Sequence, residues 1–148
     1  MRAPFVTNRK HDRRFVLGLV GLLCLVAAGA LAVVLAGAAG GGPATLRAGG
    51  ARHAVNLTVA AARAGTTAVD LTVTGADGRP STPDEIELEV LMPQMGHVLS
   101  TVRPSATSPG AYRAEAVSLP MGGQYEFTVR LSGPDGDDRV VFPLLVSG

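Results

Sequence analysis

From Asp84 to Met92 the chain reads DEIELEVLM, with Ile86, Leu88, Val90 and Met92 at alternate positions and Glu85, Glu87 and Glu89 between them. A period of two is the side-chain spacing of a β-strand, and carboxylates opposite aliphatics mark a strand with one face in a core and the other in water. On a helix the same residues would scatter apolar groups around the axis. The period recurs in HAVNLTV (53–59) and in AVDLTVTG (68–75), the latter just before an Asp77-Gly78 turn. Further strand-like runs follow at HVLSTV, AYRAEAV, QYEFTVRL and RVVFPLLV, each bounded by Pro, Gly, Ser or Asp clusters. About seven short strands without a helical pattern predict an all-β, immunoglobulin-like β-sandwich. Aromatic residues make up only 4% of the chain. The core is therefore expected to rest on Val, Leu and Ile with Tyr112, Tyr125, Phe127 and Phe142.

A different constraint acts upstream. Residues 15–39, FVLGLVGLLCLVAAGALAVVLAGAA, carry no charge, and a helix of about 20 apolar residues is enough to cross a hydrocarbon core. Arg9, Lys10, Arg13 and Arg14 precede the run, whereas no Lys or Arg follows it until Arg47. By the positive-inside rule the N-terminus is expected in the cytoplasm and the C-terminal domain outside, on a single-pass anchor in the cell membrane. A cleaved signal peptide is the competing reading, given small-residue sites such as Ala36-Gly37-Ala38, but its apolar core would be shorter. A lipoprotein fits less well, because Cys24 is followed by more apolar residues. The chain then divides into a basic flank (1–14), the span (15–39), a Gly/Ala-rich tether (40–52) and an extracytoplasmic β-domain (53–148).

Setting aside the five basic residues and one acid of positions 1–14 leaves 8 basic against 11 acidic residues. A mildly acidic exported part argues against nucleic acid as a partner. Cys24, the only cysteine, lies in the span, so the exported part has no disulfide and no thiolate ligand. No Ser/His/Asp set and no acid pair in a suitable setting points to catalysis, and an enzyme is not expected. His53, at a strand start, reads as an ordinary surface histidine, and GPDGDD (133–138) as an acidic hairpin turn without the spaced ligands of a calcium loop.

The remaining signal lies in the methionines. Apart from Met1, all of them fall in two short motifs, MPQMGH (92–97) and PMGGQY (120–125). Met92 continues the inward parity of its strand. Pro93 and Gly96 should break the ladder and leave Met95 and His97 in an irregular segment; if that segment is extended, the two face the same way. Pro120 and Gly122-Gly123 isolate Met121 on a loop. Two loops at one end of a sandwich would gather Met95, His97 and Met121, with Met92 beneath. Thioether and imidazole together suit Cu(I), whereas zinc usually takes Cys, His or carboxylate. The competing reading is packing, methionine being a flexible filler of apolar gaps.

MPQMGH, followed by GAYRAEAVSLPMGGQYEFTVRL, resembles the YtkA-like domain family, with its MPxMxH-like segment, Gly-x-Tyr strand start and Met-x-Gly-x-aromatic step into a late strand. The resemblance runs over roughly residues 53–146 and includes the DGRP turn at Asp77–Pro80. It implies a small exported β-sandwich, often membrane-tethered and similar to CopC-like copper proteins and FixH-like oxidase-assembly factors. It further implies copper as the cofactor, with Met92, Met95, His97 and Met121 at the motif positions. A respiratory oxidase or a copper transport protein is the implied partner. The function expected is copper delivery, copper tolerance or oxidase assembly; the alternative is an interaction module that docks a membrane partner without metal.

Overall fold

The computed structural model describes residues 40–134 and 136–148 and, for His97, the backbone alone. The basic flank and the predicted span, residues 1–39, lie outside the described residues. Among the described residues nine strands form two antiparallel sheets: β1 (Ala44–Gly49), β2 (His53–Val59), β3 (Gly65–Gly75), β4 (Glu85–Met92), β5 (His97–Val102), β6 (Ser105–Ser108), β7 (Ala111–Leu119), β8 (Gly123–Ser132) and β9 (Asp138–Val146). The first sheet runs β1-β2-β3-β7-β6 and the second β5-β4-β8-β9. The chain changes sheet between β3 and β4, β5 and β6, and β7 and β8, so that β7 returns beside β3 and β8 beside β4. This is a β-sandwich, as the alternating pattern requires.

Every predicted strand is present, and the parity read for β2, β3 and β4 holds. Val55, Leu57 and Val59 of β2, Val69, Leu71 and Val73 of β3, and Ile86, Leu88, Val90 and Met92 of β4 all point into one core. Tyr125, Phe127 and Phe142 are its largest fully buried side chains. Burying each aliphatic or phenyl group contributes about 1.5–3 kcal/mol, so a core poor in aromatics but continuous across both sheets suffices. On the outer face of the second sheet, Glu85 and Glu89 pair with Arg103 and Arg130 at 2.7 and 2.6 Å. In β7 the alternation slips at Glu115-Ala116, both exposed, where the register with β3 shifts. That bulge returns Val117 and Leu119 to the inner face.

The tether is shorter than expected. Ala44–Gly49 forms β1, paired with β2 from Ala44↔Val59 to Gly49↔Ala54. Ala44 is buried, and Leu46 and Ala48 pack against the core, so this stretch also alternates; its small side chains hide the pattern within a Gly/Ala-rich composition. Even Gly42 is engaged, its carbonyl accepting from Ala62 N at 2.9 Å. The other unpredicted strand, β6, is a four-residue edge with every side chain exposed, and so leaves no apolar signal.

Candidate functional site

MPQMGH forms one turn of 3₁₀ helix between β4 and β5. Pro93 suits its first position, where no amide donor is needed. Gly96 closes the turn at φ +68°, its N–H donating to the Pro93 carbonyl at 3.2 Å. That left-handed conformation is why glycine stands there. The segment is thus helical where an extended one was considered, and the same-face argument for Met95 and His97 does not apply. Met95 ends the turn and is 45% exposed. His97 opens β5, its backbone opposite Met92 in the hairpin register; its side chain lies outside what is described.

PMGGQY enters the same end of the sandwich from the other sheet. Met92 is buried at the end of β4, with its terminal methyl so close to Gly123 that a Cβ on that residue would stand 2.7 Å from it. Gly123 also has φ +151°, a second reason for glycine. Gly122 is required by close approach: a Cβ there would meet the backbone of Gly148 at 2.6 Å. Between Pro120 and these glycines sits Met121, 48% exposed, its carbonyl accepting from the buried Tyr125 hydroxyl at 2.8 Å. The 3₁₀ turn packs against β8. The fold therefore carries Met92, Met95, Met121 and the His97 backbone to one end, two methionines exposed and one beneath. Among the described residues, no group of three or more His, Cys, Asp or Glu side chains is placed to hold a metal.

The YtkA-like family model matches residues 48–130, more than half of the chain and the whole of both methionine motifs. The chain belongs to the YtkA-like family. No curated protein and no solved structure matches it significantly.

The opposite end of this YtkA-like domain holds a second polar centre, which sequence reasoning missed. His53 is not a surface residue: it is 6% exposed, with Nδ1 3.2 Å from Asp138 Oδ2. The carboxylate only accepts, so the imidazole donates from Nδ1. Asp138 also accepts from the backbone N–H groups of Ala51, Arg52, His53 and Arg139, each at 2.9 Å. Burial opposes its charge, but the donors from Arg52, Ala51, His53 and Arg139 outweigh that and hold its pKa well below the usual carboxylate range. GPDGDD does make the β8–β9 turn, yet its last residue clamps the β1–β2 turn to β9. No local pattern could have shown this, because His53 and Asp138 are 85 positions apart. A cleft of about 310 Å³ opens beside the pair, lined by His53, Asp77, Arg79 and Gly136 among others.

Proposed function

We propose that the protein is a membrane-anchored, extracytoplasmic copper-binding domain that holds Cu(I) through Met95, His97 and Met121, with Met92 as fourth ligand or as packing beneath them. The observation that carries this reading is the convergence of MPQMGH and PMGGQY at one end of the sandwich, with Met95 and Met121 both open to solvent. Thioethers are soft, neutral donors that favour Cu(I) and remain usable outside the cytoplasm, where thiolates are readily oxidised. Bound there, copper would be available for delivery, tolerance or assembly of a respiratory oxidase; the chain's own contribution is to fix the loops that present the sulfur atoms. The anchor is residues 15–39, on the length of the uncharged run and the basic residues before it.

Within the sandwich class we assign an immunoglobulin-like topology. Its support is the order β2-β3-β7-β6 against β5-β4-β8-β9, which corresponds to the ABED and C′CFG sheets of that fold. The Tyr125 bond to the Met121 backbone stands where such folds keep a tyrosine corner, at the start of strand F. Met121 therefore occupies the corner itself.

Among the described residues the core spans 44–146, continuous across both sheets, so residues 40–148 are the part to titrate with Cu(I) under anaerobic conditions. Met95→Leu with Met121→Leu should weaken binding by at least an order of magnitude while leaving the metal-free melting curve almost unmoved, both side chains being exposed. His97→Ala should weaken it as well. Met92→Leu should cost less than about 1.5 kcal/mol of stability and change affinity less if it mainly packs. A double leucine variant that binds as tightly as the parent would replace copper with the metal-free interaction module.

A further inference from the structure

The two ends of the sandwich differ in charge. At the methionine end, positions 40–44, 59–66, 92–98, 119–125 and 145–148 contain one residue of the Asp, Glu, Lys and Arg class, Arg63, which is exposed. The opposite end carries Arg52, Asp77, Arg79, Asp84, Glu85, Arg103, Asp137 and Arg139. Of the five exposed large hydrophobics among the described residues, four follow the same polarity, and the fifth, Val141, stands on β9 nearer the opposite end. Met95 and Met121 cap the uncharged end, and Val98 at 44% and Leu145 at 60% lie beside it on the outer face of the second sheet.

The chain also enters the domain at this end. Gly42 is bonded to Ala62, and Gly41 packs beside Ser147 and Arg63. The proposed span ends at Ala39, so three peptide units, about 10 Å of extended chain, lead from it to Gly42.

We propose that the methionine-bearing end docks on the lipid surface of the bilayer, with Met95, Met121 and Leu145 in the interfacial region and Arg63 at the headgroups. This rests on the anchoring of residues 15–39 proposed above, and it holds with or without copper. Water-exposed apolar side chains gain free energy at the acyl boundary, and a lone arginine keeps its charge among headgroups while its stem stays apolar. The charges of the opposite end would have to shed water at the acyl boundary, which disfavours the reverse orientation. Anchoring makes the docking intramolecular whether the connection is short or moderately lengthened, so a modest intrinsic affinity of this face for the interface is enough.

The test uses the full chain, metal-free, with Cys24→Ser and single cysteines carrying a fluorophore at Met95→Cys, Met121→Cys, Asp77→Cys or Asp137→Cys, in phosphatidylcholine and phosphatidylglycerol vesicles containing quencher-bearing lipids. Gln94→Cys replaces Met95→Cys if that variant fails to melt cooperatively. Labels at 94 or 95 and 121 should be quenched several-fold more strongly than those at 77 and 137, and should stay quenched when a flexible Gly/Ser insert lengthens the chain between Ala39 and Gly40. Equal quenching at both ends, or loss of quenching with the insert, overturns the docking; the latter would mean enforced proximity, or a membrane protein as the true partner of this face. A chain that does not float with the vesicles overturns the anchoring too. The copper titration, done on the isolated domain, is decided separately.

Discussion

The hydroxyl of Tyr125, buried in the core, donates to the carbonyl of Met121 at 2.8 Å. The Met121 N–H also points at that oxygen, 3.4 Å away. A loop that must expose its side chain is thereby held by its backbone.

Tyr125→Phe removes the hydroxyl and leaves the Met121 backbone without this partner. The expected cost is about 1–2 kcal/mol, read as a lower urea midpoint. Cu(I) affinity should fall as well, although the tyrosine is no ligand, because Met121 would lose its fixed position.

The two glycines of PMGGQY should respond differently. Gly123→Ala meets only the flexible tip of Met92 but is strained at φ +151°, so about 1–2 kcal/mol should be lost and Met92→Leu should not restore it. Gly122→Ala meets the backbone of Ser147 and Gly148, and Ser147 is held by its bonds to Ala62 and Ala64. Measured against a parent shortened in the same way, removing Ser147 and Gly148 should therefore abolish the cost of Gly122→Ala and leave that of Gly123→Ala unchanged in thermal melts.

Asp138→Ala strips four backbone donors and an imidazole of their acceptor at once and should cost about 3 kcal/mol. Because folding lowers the pKa of Asp138, the stability it provides is complete above the ordinary carboxylate value of about 4 and is lost as pH falls toward the folded-state value. The gap in urea midpoint between the parent and Asp138→Ala should thus be widest near neutral pH and narrow steadily below pH of about 4. Gly50→Ala, whose Cβ would overlap the carboxylate, should reproduce part of the loss.

A reporter fused after Gly148 should be active only on the extracytoplasmic side. Mature protein recovered free of the membrane and beginning near Ala38 would instead identify residues 15–39 as a cleaved signal.

Strand positions were legible wherever a run buried large aliphatics against polar neighbours, as in DEIELEVLM, because the period of two is imposed by the core itself. The same logic hid β1, whose inward residues Ala44, Leu46 and Ala48 are mostly small, and β6, which buries none. The gathering of the methionine motifs at one end followed from Pro and Gly punctuation at the ends of strands. The turn geometry between Pro93 and Gly96 did not, since a four-residue connection can close a hairpin in several ways. His53 was misread because its partner is contributed by another sheet, and burial of a polar ring is decided by the partner.

At the methionine end the first described residues touch the last: a Cβ on Gly41 would stand 2.8 Å from Ser147 Oγ, and Arg63 bridges to Ser147 beside them. A sandwich whose entry and exit share one point can be closed into a ring, reopened at the Asp77-Gly78 turn, or spliced into a surface loop of a host protein without stretching either strand. Each rearrangement would separate the fold from residues 1–39 while keeping both methionine loops intact.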